Sequence, residues 1–144
     1  MVLLVKFFYF RKKDFNDKRV YLFKEYLRIV KEFNPKIFLF ENVKGLISMN
    51  NGKLFKMIIV EFEKLGYSIY YKLINSAEYG IPQIRNRVFI FGFKEEYKYW
   101  ITQMDNLLDK YKSNKIVTVK DPLSDLPLLK PSESSDKYLS EPLK

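Results

Sequence analysis

From Ile37 to Phe40 the chain runs through consecutive apolar and aromatic side chains, then meets Glu41, Asn42 and, past Val43-Lys44, Gly45. A short continuous apolar run closed by turn-forming residues has few ways to fold. It reads as a strand over 36–41 buried on both faces, as in a parallel sheet. Open α/β sheets bind ligands at the carboxyl ends of their strands. Glu41 and Asn42 stand at that end and are candidate functional residues. On this stretch alone the favoured reading is a purely local role, the carboxylate capping a turn and the asparagine taking left-handed backbone.

The flanks of this strand supply its context. From Tyr21 to Phe33, residues Leu22, Phe23, Tyr26, Leu27, Ile29, Val30 and Phe33 recur at helical spacing between charged residues, which predicts a helix over 20–33. Asn34-Pro35 ends it, because the residue before proline is pushed out of the α region. A helix followed at once by a buried strand is half of a βαβ unit. Residues 1–10 are apolar enough for an earlier strand or for a sticky leader. After Asn50-Asn51-Gly52 a second helix is expected over 53–65, stopped by Gly66. Strands are expected over 67–75 and 87–93, the second apolar enough to be central, and 95–112 is loosely helical.

Between those two strands, Gln83, Arg85 and Arg87 alternate. In an extended segment they share one face, since side chains repeat with period two. Fork-shaped donors on one face suit an oxyanion, a phosphate or a base edge, although a salt-bridged edge strand explains them as well.

The chain carries 26 Lys and Arg against 17 acids, a net charge of +9. From Thr118 onward there are 4 Lys against 5 acids, so the first 117 residues carry +10. A basic body with 11 Tyr and 13 Phe fits a nucleic-acid partner, while an AT-rich genome gives the same composition without meaning. There is no cysteine and no histidine, which removes disulfides, thiolate metal sites and imidazole chemistry from this chain. No apolar run approaches the roughly 20 residues of a membrane span, and the N-terminus lacks a signal-peptide pattern. A cytoplasmic location is the expectation, with no membrane partner.

Taken together, these residues resemble the cytosine-5 DNA methyltransferases. Lys12-Lys13-Asp14-Phe15-Asn16-Asp17-Lys18-Arg19, with Leu22-Phe23 and Arg28-Ile29-Val30, is similar to the segment after that family's catalytic loop. Glu41-Asn42-Val43 resembles its Glu-Asn-Val motif. Tyr79-Gly80-Ile81-Pro82-Gln83-Ile84-Arg85-Asn86-Arg87 resembles its Gln-x-Arg-x-Arg motif. Thr118-Val119-Lys120-Asp121 with Asp125-Leu126-Pro127 is similar to the entry into its target-recognition region. The transfer-RNA branch shares the Glu-Asn-Val element, but Gln83 and the Thr118–Asp121 entry favour the DNA branch.

The resemblance implies an α/β, partial Rossmann-like fold dependent on S-adenosylmethionine, covering the C-terminal part of the usual sheet. Residues 1–94 form the partial catalytic domain, 95–117 a helical connector and 118–144 the start of target recognition. In the family a thiolate adds to carbon 6 of an extruded cytosine, and carbon 5 then takes the methyl group. Glu41 matches the carboxyl that serves ring nitrogen 3, and a carboxyl donates only while it holds its proton. Arg87 matches the arginine on the exocyclic oxygen. Asn42 matches a residue that holds the turn, Gln83 and Arg85 brace the site, and Leu22 matches an apolar contact of the cofactor pocket. Lys12 and Lys13 are candidates for phosphate contact on double-stranded DNA.

The departures are as informative. Val5-Lys6-Phe7-Phe8-Tyr9-Phe10 stands where the family has its Pro-Cys loop, and Val20 stands where glycine is usual. The expectation is an internal fragment or subunit of a restriction–modification methyltransferase, inactive alone. An N-terminal polypeptide bearing the cysteine would complete it, and the strand at 36–41 would lack a neighbour on one side. A non-catalytic nucleic-acid-binding or complementing subunit is the alternative.

Overall fold

The computed structural model describes residues 2–6 and 22–136. In chain order the main elements are β1 (Val2–Lys6), α1 (Leu22–Phe33), β2 (Ile37–Val43), α2 (Gly45–Ser48), α3 (Lys53–Lys64), β3 (Ser68–Asn75), β4 (Asn86–Phe93) and α4 (Met104–Lys110). Single 3-10 segments at Ser76–Tyr79 and Glu95–Gln103 precede β4 and α4. The four strands form one sheet in the order β1-β2-β4-β3.

The pairing is mixed. β1 runs parallel to β2, from Val2 opposite Ile37 to Lys6 opposite Glu41, so β1, α1 and β2 complete the expected βαβ unit. β4 is antiparallel to both β2 and β3. Strand β2 therefore has a neighbour on each side, against the expectation that one side would be bare. The apolar leader supplies the missing partner, because residues 2–6 fold as a strand. A second difference concerns burial. Phe38 and Phe40 are fully enclosed, whereas Ile37 and Leu39 on the opposite face are only half covered. Both α1 and α3 pack on one face, so β2 alternates inside and outside as strands in a one-sided sheet do.

The core on the helical face is aromatic. Phe38 meets Phe62 at a ring-centroid distance of 4.5 Å and Tyr67 at 4.9 Å, and Tyr26 meets Phe40 at 5.2 Å. Two tyrosines bury their rings because each hydroxyl finds a backbone carbonyl. Tyr26 donates to Leu39 O at 3.2 Å and Tyr67 to Pro35 O at 2.7 Å. Gly92 in β4 lies beneath Phe38, and a Cβ there would come within 2.0 Å of the ring.

Turn chemistry follows the sequence. Asn50, Asn51 and Gly52 take left-handed backbone in succession before α3, and Gly66 does so after it, with φ +79°. Lys94 seals that end, donating from Nζ to Leu65 O at 2.9 Å. Residues 95–112 are helical as expected but tighten into 3-10 geometry over Glu95–Gln103 before α4 begins. Beyond Lys112 the described residues hold turns and no helix or strand. No described helix is long and apolar enough to cross a membrane.

Candidate active site

Three strands deliver their ends to one edge of the sheet. Val43 at the end of β2 faces Arg87 near the start of β4, and Asn75 at the end of β3 faces Asn86. Glu41 sits opposite Phe89, so Glu41 and Arg87 are diagonal neighbours on the half-covered face, within reach of long side chains. They meet. Arg87 Nε lies 2.9 Å from Glu41 Oε1, with the side chains 20% and 11% exposed.

The pair is held from behind. Arg87 Nη1 donates to Asn86 O at 2.9 Å, which fixes the guanidinium plane. No described residue bonds Arg87 Nη2 or Glu41 Oε2, and neither atom is buried without a partner. Each retains hydrogen-bonding capacity for a ligand. Asn42 is buried in β2 rather than in left-handed backbone, and its Oδ1 accepts from the Val43 amide at 2.8 Å.

Beside the pair opens a cavity of about 480 Å³ lined by Glu41, Ile74, Ser76, Tyr79, Ile81, Arg85, Arg87 and Phe89. Apolar walls with a few convergent polar groups are the usual make-up of a small-ligand site. Burial holds the Tyr79 phenol above its usual titration range.

The segment from 76 to 85 differs from the extended form expected of it. Gln83 N donates to Ile81 O at 2.7 Å, a tight turn that breaks the period-two alternation. Arg85 and Arg87 line the cavity, while Gln83 is exposed and is not among the lining residues. The bracing comes from residues the sequence reading passed over. Asn75 Oδ1 accepts from the Ala77 amide at 3.2 Å and the Arg85 amide at 3.3 Å, tying the two ends of the segment together. Ser76 Oγ donates to Gln83 O at 2.6 Å. Asn75-Ser76 at the end of a β-rich run is a turn signal that could have identified both. Phe89, two residues past Arg87, follows from strand periodicity.

Lys12 and Lys13 lie outside the described residues. So does the side chain of Leu22, whose backbone opens α1. The five glycines are scattered and build no Gly-rich turn. Among the described residues, then, the Gly-rich turn that holds S-adenosylmethionine in the family is not found. Among the described residues there is also no cluster of acidic side chains able to hold a metal ion.

The family described as C-5 cytosine-specific DNA methylase matches residues 9–142. The chain belongs to that family. A Type II methyltransferase of Bacillus paralicheniformis is 38% identical over 133 residues, covering 87% of this chain and 29% of the relative. Another, from Fusobacterium nucleatum, is 42% identical over 116 residues, covering 76% of this chain and 33% of the relative. The chain thus spans about a third of the length of these Type II methyltransferases. A crystal structure of a prophage-encoded protein described as a DNA modification methyltransferase (E. coli) superposes with TM-score 0.59 at 28% identity, covering 78% of this chain and 32% of that one. The S. pombe Dnmt2 methyltransferase shares the fold at TM-score 0.56 and 18% identity, covering 90% of this chain and 39% of that one. The sheet described above is accordingly a partial Rossmann-like methyltransferase fold.

Proposed function

We propose that this chain carries the base-holding part of a DNA (cytosine-5)-methyltransferase site, as a fragment or subunit of a restriction–modification enzyme. The observation that carries this reading is the Glu41–Arg87 pair at 2.9 Å on the wall of a cavity large enough to admit a base. An extruded cytosine entering there would meet Glu41 Oε2 at ring nitrogen 3 and Arg87 Nη2 at the exocyclic oxygen. Negative charge develops on the ring when a nucleophile adds to carbon 6. A guanidinium already fixed by Asn86 O stabilises that charge without reorganising. A carboxylate ion-paired with Arg87 has no proton to give, so Glu41 would serve nitrogen 3 only after taking one up as the base enters. Asn42 and Asn75 hold the two strand ends that set this spacing, and Phe89, Tyr79 and Ile81 offer faces to the ring.

The attacking sulfur must come from elsewhere, since this chain has no cysteine. S-adenosylmethionine, which supplies the methyl group in the family, is assigned by the same reasoning to a pocket completed outside this chain. The test is methyl transfer from labelled S-adenosylmethionine to duplex DNA. The isolated chain is expected to transfer none. Combined with an N-terminal polypeptide carrying a Pro-Cys loop it is expected to do so, and Glu41→Gln or Arg87→Met is expected to abolish the transfer. Transfer by the isolated chain refutes the reading, as does reconstituted transfer indifferent to both substitutions.

A further inference from the structure

Several described cations of the sheet and its helices already have partners. In the middle of α1, Arg28 is bonded to Glu25 and Glu32, and at the end where β2 begins Lys64 is bonded to Glu61 and Lys94 to Leu65 O above the Tyr67 ring. Lys36 lies over the Tyr97 ring at 5.6 Å. At the opposite end, which holds Glu41 and Arg87, Lys112 is bonded to Glu78 and Asp109, whereas three lysines nearby are not paired. Lys44 follows β2 directly, and Lys53 and Lys56 occupy the first turn of α3. All three are exposed, and none has an ion pair or hydrogen bond to another described residue.

Their placement follows from the chain path. The last turn of α3 is fixed at the far end by Lys94, whose amide also bonds Lys36 O just before β2. Twelve helical residues span about 18 Å, most of the roughly 23 Å of the seven-residue strand β2. The first turn of α3 therefore returns to the edge where β2 ends. Helix α2 packs against α3 there, and Gly52 approaches Ile47 O. Lys53 and Lys56 are three residues apart and so share a helix face. No acid occurs between Glu41 and Glu61, so this stretch carries 3 Lys and 0 acids. Cations in a first helical turn oppose the helix dipole, and the fold gains nothing from them.

We infer that Lys44, Lys53 and Lys56 form a phosphate-contacting patch that seats duplex DNA beside the Glu41–Arg87 cavity. This rests on the proposal that DNA is the partner, and adds which surface positions it. Contacts of this kind orient the duplex without reading its sequence. Being exposed and unpaired, the lysines can be exchanged without disturbing the fold.

The experiment is fluorescence anisotropy of the full chain on labelled duplexes of unrelated sequence, titrated against salt. Neutralising three phosphate contacts by Lys44→Gln, Lys53→Gln and Lys56→Gln together should lower the slope of log affinity against log salt by about 2.7. The weakening should be equal for every duplex. Lys31→Gln, on the exposed face of α1 near the other end, should change nothing. Binding whose slope survives the triple substitution overturns the patch and leaves the DNA reading standing. No binding by the unaltered chain overturns both. Loss of the slope while Glu41 and Arg87 prove indifferent in methyl transfer supports the patch and sinks the base-holding role.

Discussion

Replacing Gly92 with alanine isolates the contact on which the sheet and its helical cover depend. Gly92 does not have left-handed backbone, so the strand conformation itself does not demand glycine. On backbone grounds alone Gly→Ala would stabilise by about 0.4–1 kcal/mol, by restricting the unfolded chain. The Phe38 ring reverses that sign. An alanine Cβ would lie 2.0, 2.3 and 2.7 Å from three of its atoms, where ordinary contact needs about 3.5 Å or more. The ring has to retreat by more than an ångström, yet it is 0% exposed and packed against Tyr26, Phe62 and Tyr67. Overpacking of this kind costs about 1–3 kcal/mol, with the upper end expected for a ring enclosed by three others. Urea denaturation of both proteins by circular dichroism measures it. A double-mutant cycle with Phe38→Leu decides the cause, because shrinking the ring should recover about 1 kcal/mol or more of the Gly92→Ala loss. Gly92→Ala as stable as the parent, or a cycle with no coupling, refutes the reasoning.

Arg87→Met removes the partner of a carboxylate on a residue only 8% exposed, and should cost about 1–3 kcal/mol in urea denaturation, largely relieved by adding Glu41→Gln. An uncoupled pair would show that the ion pair does not form in solution. Burial pushes the Tyr67 phenol up to about 12 and raises that of Tyr26 further. The unfolded chain releases these protons near pH 10, so stability is fully present below about pH 10 and falls as the pH rises toward 12. Flat stability across that window contradicts the burial. Asn75→Ala frees the amides of Ala77 and Arg85 and should cost about 0.5–2 kcal/mol, with faster hydrogen exchange at Arg85 as its specific mark.

Much of this protein is written locally. The helical spacing of Phe23, Tyr26 and Val30, the apolar run of β2, and the Asn-Asn-Gly and Gly66 turns each follow from neighbours within a few residues, and the structure has all of them. Glu41 and Arg87 could be singled out because each stands beside an unusual pattern at an element's end. The tight turn at Ile81–Gln83, and with it the departure of Gln83 from the cavity, goes with hydrogen bonds made by Asn75 at the end of β3 and Ser76 just past it.

What needed the assembled chain was the register. That Arg87 sits diagonal to Glu41 is set by antiparallel pairing of β4 with β2, two strands separated by more than forty residues of sequence. That β2 has a neighbour on both sides depends on residues 2–6, whose composition allowed a leader as readily as a strand. Periodicity along one segment reports which side of that segment is apolar. It carries no record of which strand lies alongside or in what alignment, because those are settled by side chains packing across the sheet, as Phe38 does over Gly92.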